Sequence, residues 1–384
     1  MHLFISAGEP SGDLHGANLI NALKRIDPSI QCSGFGGDRM EAAGSKLLYP
    51  LTKLAVMWFL HAILNIFTFL RLVKKADRFF HEQKPDAVII IDFPGFHFNI
   101  AKRAHAQGIP VYWFVPPQLW AWAGWRVKKM KKWVDHVLSA LPFEDDWFRQ
   151  HGMSSSYIGH PYFDEMATQK LDPLFMAEQR RHFGPAIAIL PGSRMQEVTR
   201  NLREMLEAAA IVHTKHPETR FLIASFNEAQ AEVARQSIAG LKFPVEVHVG
   251  RTPEIIELAD VCISVSGSVS LEMMVRETPA VIVYRMGRVM IRIARLLKKC
   301  KYITLVNLLA DRELFPEFAT DKNPCQQVAQ QVTDWLDDPA KAEAVREALR
   351  EVKARVAQPG ASERAANFVL AELGRKTVAK SEAA

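Results

Sequence analysis

Two stretches of this chain leave an apolar run on residues suited to phosphate chemistry. The first, "ILPGSRMQEV" at 189–198, passes from a strand through Gly192, Ser193 and Arg194 into a helix. Free amides at a helix start, the helix dipole, the Ser193 hydroxyl and the Arg194 fork together suit a diphosphate. The second, "ISVSGSVSLEMM" at 263–274, leaves its strand through Ser266, Gly267 and Ser268, with Glu272 in the first turn of the next helix. Small residues there admit a phosphate to the backbone, and the Glu272 carboxylate can accept hydrogen bonds from two ribose hydroxyls. The pair points to a nucleoside diphosphate. Neither stretch is a Walker loop or a GxGxxG turn, and well-capped strand–helix turns share the pattern.

A third stretch, "VIIIDFPGFHFNI" at 88–100, ends an apolar run at Asp92. Ligands of open α/β sheets gather at the carboxyl ends of strands, so Asp92 is a candidate general base, with a turn cap as the alternative. His97 reads as a capping or packing residue. "AGEPSGDLHGA" at 7–17 has the layout of a phosphate turn, yet its Glu9 and Asp13 would repel one. Trp120, Trp122 and Trp125 either wall an acyl or sugar pocket or pack in the core. The 13 histidines include no HxxxH at a strand end, and the 4 cysteines include no CxxC. Neither a metal nor another cofactor is expected, and a departing diphosphate would rely on Arg194 and helix ends.

Strands must carry these residues. A chain of 384 residues, 48% hydrophobic and 23% charged, reads as two globular domains. "HLFISA", "DAVIIID", "IPVYWFV" and "HVLSAL" read as strands of the first half, and "CSGFGGDRMEAAG" as a turn opening a short helix. "FLIASF", "VEVHVG", "VCISVS" and "AVIVYRM" read as strands of the second. Val198, Leu202, Met205, Leu206, Ala209 and Val212 mark the buried face of a helix. The expected fold is α/β, two Rossmann-like domains facing a cleft: 1–170, then 184–340, with C-terminal helices and a polar, disordered tail over 341–384. The cysteines fit a reducing cytoplasm, and no signal peptide is read at the start.

The net charge is +6. Arg126 to Lys132 form one basic cluster, and residues 285–301 form another without an intervening acid. Residues 54–70 carry no charge but fall short of the ~20 needed to span a bilayer. The reading is an interfacial helix over about 54–72, with Trp58, Phe59, Leu60 and Phe67 towards acyl chains and Arg71, Lys74, Lys75 and Arg78 near headgroups. A buried helix is the plainer alternative. A membrane surface fits this basic surplus better than nucleic acid.

The stretches "AGEPSGDLHGA", "GFGGDRM", "LAVMWF", Ile91-Asp92 with Pro94, "WAW" at 120–122, "LPFE" at 141–144, "IGHP" at 158–161, "LPGSR" followed by Glu197-Val198, "SGS" followed by "SLE", and "NLLADRE" occur in this order from residue 7 to about 313. In them the chain resembles the lipid-A-disaccharide synthases, glycosyltransferase family 19. The resemblance implies a GT-B-like fold and an inverting transfer in lipid A (lipopolysaccharide) biosynthesis. UDP-2,3-diacylglucosamine would be joined to 2,3-diacylglucosamine 1-phosphate (lipid X), giving a β-1′,6 linkage and UDP. It makes Asp92 the base on the acceptor 6-hydroxyl and puts Glu9 beside the reacting sugars. It places Gly192, Ser193, Arg194, Ser266, Gly267, Ser268, Glu272 and Asn307 around the UDP-sugar. It further implies peripheral attachment to the cytoplasmic face of the inner membrane, and homodimers that exchange C-terminal segments. Three positions depart from the family pattern: Gly95 for an Asp, His97 for an Asn, and Ala123 for an Arg, although Arg126 matches the next Arg. Rival readings are another GT-B UDP-sugar enzyme and a non-catalytic, membrane-associated UDP-sugar-binding protein. A dinucleotide oxidoreductase is disfavoured because no GxGxxG opens either half.

Overall fold

The computed structural model describes residues 1–56, 66–287, 291–292 and 300–382. They form two compact units, Met1–Ala167 with Gln358–Ala384, and Thr168–Ala357.

In the first unit, β1 (His2–Ala7), β2 (Gln31–Phe35), β3 (Ser45–Tyr49), β4 (Ala87–Ile91), β5 (Val111–Phe114), β6 (His136–Ser139) and β7 (Ser155–Tyr157) form one parallel sheet in the order β3-β2-β1-β4-β5-β6-β7. All of β4, Ala-Val-Ile-Ile-Ile, is buried, as a β-branched run covered by helices on both faces should be. The order reverses between β1 and β4, where Ala7 pairs with Ile91. The turns that begin at Gly8 and Asp92 therefore emerge side by side at the topological switch point, where this architecture leaves a crevice.

The second unit repeats the plan. Here β8 (Ala186–Leu190), β9 (Arg220–Ser225), β10 (Val245–Val249), β11 (Val261–Ser264), β12 (Ala280–Arg285) and β13 (Glu317–Thr320) run in the order β10-β9-β8-β11-β12-β13. The switch point lies between β8 and β11, where Leu190 pairs with Ser264. The two anion-ready turns leave from those two strands. The helix Met195–Lys215 buries Val198, Leu202, Met205, Leu206, Ala209 and Val212 against this sheet, the face that its periodicity marks.

Two parts of the sequence reading change, and a third lies largely outside the described residues. "CSGF", read as part of a turn, is most of β2, because Cys32 to Phe35 pack between β1 and β3. The stretch expected as a disordered tail continues the helix Ala361–Glu382. Trp58, Phe59 and Leu60 lie outside the described residues, as do 288–290 and 293–299 of the second basic stretch. Of the interfacial segment, Phe67 is described and is 69% exposed, beside exposed Ile66 and Leu70. The opposite face of that helix, Ile66–Gln83, buries Leu72, Val73, Ala76 and Phe80. Among the described residues no helix is long and apolar enough to cross a membrane.

The helix Ala361–Glu382 packs on the first unit's helix Pro10–Ile26. Ala361, Ala365, Val369 and Leu373, spaced by four, enter the same core as Ile20, Leu23 and Tyr112. Asp164 clamps its start by accepting the backbone N–H groups of Gly360 at 2.6 Å, Ala361 at 3.0 Å and Ser362 at 2.8 Å. A carboxylate there satisfies orphan amides and meets the positive end of the helix dipole. Arg364 Nε adds a bond to the Ile158 carbonyl at 2.8 Å.

Candidate functional site

Asp92 is held in an unusual backbone. Its φ is 49°, that of Phe93 is 47° and that of Val115 is 50°, all in the left-handed region. A β-branched valine there is a genuine outlier, and such residues cost of order 1–3 kcal/mol each. The three are linked, because Asp92 N–H donates to the Val115 carbonyl at 3.1 Å. Strain of this kind persists only where its surroundings over-determine it, and it gathers at functional sites.

His97 supplies part of that constraint. It has no exposure, and its ring bridges Asp92 O at 2.7 Å (Nδ1) and Ser6 Oγ at 2.8 Å (Nε2). Burial depresses its pKa to about 4, so the ring is neutral at pH 7. A neutral ring beside a carbonyl must carry its proton on Nδ1, which leaves Nε2 to accept from Ser6. His97 thus ties the Asp92 backbone to β1. Gly95, next in the turn, has nothing within 4 Å of where a Cβ would stand, so packing does not exclude the family's Asp.

Glu9 begins the neighbouring turn as the residue before the helix Pro10–Ile26. A Cβ on Gly8 would stand 2.3 Å from the Phe93 ring, so a glycine is needed where the two turns meet. Glu9 and Asp92 both remain partly exposed at this end of the sheet. Asp13 behaves differently. It is buried and accepts from Gly37 N at 2.7 Å, Arg39 N at 3.1 Å and Met40 N at 3.2 Å. One acid of the first turn therefore anchors the "GFGGDRM" loop, while the other stays partly exposed.

Glu144, quoted within "LPFE" but absent from the expected site, is the residue that the sequence reading missed. It is 2% exposed, with Oε1 accepting Trp120 Nε1–H at 3.0 Å and Oε2 accepting Ala140 N–H at 3.2 Å. Burial, reinforced by the charge of Asp92, raises its pKa to about 8 against these hydrogen bonds. In sequence it resembles any acid in a helical first turn. Trp120 belongs to this core, whereas Trp122 and Trp125 are exposed, with the Arg126 guanidinium 5.2 Å from the Trp122 ring. Ala123 is fully buried, so an arginine there would have to displace packed core.

In the second unit, Gly192 has φ 121°, and a Cβ there would strike Glu197 at 2.5 Å. Ser193 and Arg194 are exposed. Arg194 forms a capping box with Glu197, whose Oε1 lies 3.3 Å from its Nη1. The Arg194 side chain is 63% exposed and that of Glu197 15%, so the cap sits at the surface with its carboxylate largely covered. Ser268 and Gly267 are exposed, and Ser270 Oγ locks their turn through the Gly267 carbonyl at 2.8 Å. Ser266 Oγ reaches the Ile303 carbonyl at 3.4 Å. Glu272 is buried and accepts from Arg276 Nε at 3.2 Å. Asn307 has no exposed surface. Its Nδ2 donates to Phe315 O at 2.7 Å and Glu317 Oε1 at 2.9 Å, while Oδ1 accepts Leu314 N at 2.8 Å and Phe315 N at 2.9 Å. Its amide capacity is met inside the unit. Among the described residues no group of three or more His, Cys, Asp or Glu is arranged to hold a metal ion.

Two parallel α/β sheets, each with ligand-type turns at its switch point, define a protein of GT-B-like architecture. Solved structures share it. The UDP-GlcNAc 2-epimerase of Neisseria meningitidis bound to UDP-GlcNAc matches with TM-score 0.62 at 12% identity, over 98% of this chain and 100% of that one. The calicheamicin glycosyltransferase CalG4 matches with TM-score 0.60 at 15% identity, over 97% and 98%. Within that class, residues 3–371 match the family model of lipid-A-disaccharide synthetase, and the chain belongs to that family. The lipid-A-disaccharide synthase of Myxococcus xanthus is 32% identical over 373 residues, 96% of each chain.

Proposed function

We propose that this chain is a lipid-A-disaccharide synthase that transfers 2,3-diacylglucosamine from UDP to the 6-hydroxyl of 2,3-diacylglucosamine 1-phosphate. The products are the β-1′,6-linked disaccharide 1-phosphate and UDP. Family membership across nearly the whole chain supports the activity. The observation that carries the mechanism is the strained Asp92 turn beside Glu9 at the first switch point.

The reaction is a single displacement. The acceptor oxygen forms its bond to the anomeric carbon while Asp92 takes the hydroxyl proton. The bond from that carbon to the diphosphate oxygen breaks on the opposite face, and its electron pair leaves with UDP. One base suffices for inversion, with no covalent intermediate. Glu9 accepts sugar hydroxyls and orients the acceptor. On the second unit the turns Gly192–Arg194 and Ser266–Ser268 hold the diphosphate, with Arg194 and backbone amides neutralising charge as it develops. Glu272, buried and bonded to Arg276, would meet the ribose hydroxyls on rearrangement of that pair. Asn307 acts through the scaffold that it ties together.

Both substrates are lipids. Exposed Ile66, Phe67 and Leu70, with Arg71, Lys74 and Lys75 on the same helix, support peripheral binding to an anionic membrane. We assign it to the cytoplasmic face of the inner membrane, as a homodimer.

The test is product analysis. Purified protein, UDP-2,3-diacylglucosamine and lipid X are mixed in detergent, and products are read by mass spectrometry. UDP together with a tetraacyl disaccharide 1-phosphate is expected. UDP alone would mean hydrolysis or another acceptor, and UDP binding without turnover would mean a binding protein.

A further inference from the structure

The turn at the end of β8 has an aromatic neighbour that the proposed mechanism leaves unused. Phe226 follows β9 directly and is 61% exposed. Continued past the strand ends, the register that pairs Ile189 with Ile223 brings Phe226 level with Gly192. The unit's other strongly exposed ring among the described residues, Phe183, precedes β8 and so lies at the opposite end of the sheet.

The backbone that carries Phe226 is tied down. Gln230 is buried, and its Oε1 accepts Phe226 N–H at 3.1 Å. Its Nε2 donates to the Ser193 carbonyl at 2.8 Å. Its own N–H is held by Asn227 Oδ1 at 3.0 Å, the cap of the helix Glu228–Ile238. One side-chain amide therefore joins the anion turn to the aromatic. That spends a buried polar group on spacing two exposed features.

We propose that Phe226 is the platform on which the uracil ring of the UDP-sugar packs, and that Gln230 is a positioning residue that sets its distance from the diphosphate turn. The proposal rests on the UDP-sugar reading of that turn. A phenyl face offers stacking without hydrogen-bond readout, so it contributes affinity for a flat base rather than the choice of uracil.

The test is calorimetric titration with UDP and with inorganic pyrophosphate, which has the diphosphate but no base. Phe226→Ala should weaken UDP binding about 5- to 150-fold, the range for loss of one base–aromatic stack. Pyrophosphate binding should stay within about twofold, and Phe226→Tyr should restore UDP binding. Gln230→Leu should raise KM for the UDP-sugar more than it lowers kcat, which a general loss of folded protein would not do. If Phe226→Ala binds UDP like wild type while Arg194→Ala does not, the platform is wrong and the UDP turn stands. If Phe226→Ala impairs transfer from the acylated donor but not UDP binding, the ring meets an acyl chain and the platform is again wrong. If wild type binds no UDP, the reading of the turn and the platform fall together.

Discussion

Asp92 shows how much one residue can carry. Its left-handed backbone favours Asp or Asn over most residues, so Asp92→Asn keeps the conformation while removing the carboxylate proposed as the base. That variant should lose about 10²- to 10⁴-fold in kcat with UDP affinity unchanged, measured by disaccharide formation and by calorimetry. Retained turnover would move the proton to Glu9. His97→Ala should both destabilise and slow the enzyme. It leaves Ser6 and the Asp92 carbonyl short of a buried partner, costing about 1–3 kcal/mol in a denaturant titration. The place of Asp92 at a strand end was legible because it follows an apolar run. His97 was legible only as a packing residue, since nothing in "PGFHFN" reveals that its ring reaches Ser6. Glu144 was hidden because an acid in a first turn is ordinary until burial is known.

At the scale of elements, each switch point gathers two turns that are far apart in sequence. The central strands were legible because β4 and β8 are wholly apolar, and so were the turns that end them. The edges were not. β3 is "SKLLY", β7 is "SSY" and β13 is "EFAT", partly exposed strands whose polarity gives no alternation to read. The C-terminal residues were legible as helical, but not the surface that the helix Ala361–Glu382 would cover. Asp164 is the sharpest test of that docking. Asp164→Ala removes the acceptor for three amides at the helix start and should cost about 0.5–2 kcal/mol. Limited proteolysis should then cut near Gln358–Gly360 faster than in wild type, and an unchanged cleavage rate would refute the clamp.

For the whole molecule, buried titratable groups set a pH window for stability. Burial lowers the pKa of His15 to about 3, with the neighbouring His160 adding to the effect, and lowers those of His97 and His160 to about 4. Neutral in the fold, they contribute stability that is complete above their ordinary value of 6.5 and is lost as pH falls towards 4. Glu144 works in the other direction. Its contribution is complete below 4.5 and is lost as pH rises through about 8. Between pH 6.5 and 8 the histidines have finished titrating. The unfolding temperature of wild type should therefore decline gently over that interval, and the decline should disappear in Glu144→Gln. Scanning calorimetry at several pH values checks both limbs.

The path of the backbone has a consequence for synthesis. The first unit borrows its last helix from beyond the second, since Gln358–Ala384 belongs with Met1–Ala167. On the ribosome, residues 168–357 must be translated before Ala361, Ala365 and Val369 exist to cover Ile20, Leu23 and Tyr112. At roughly 5–20 residues per second that interval lasts roughly 10–40 s. Throughout it the nascent first unit carries an uncovered apolar face, while the second unit has its whole sequence as soon as it emerges.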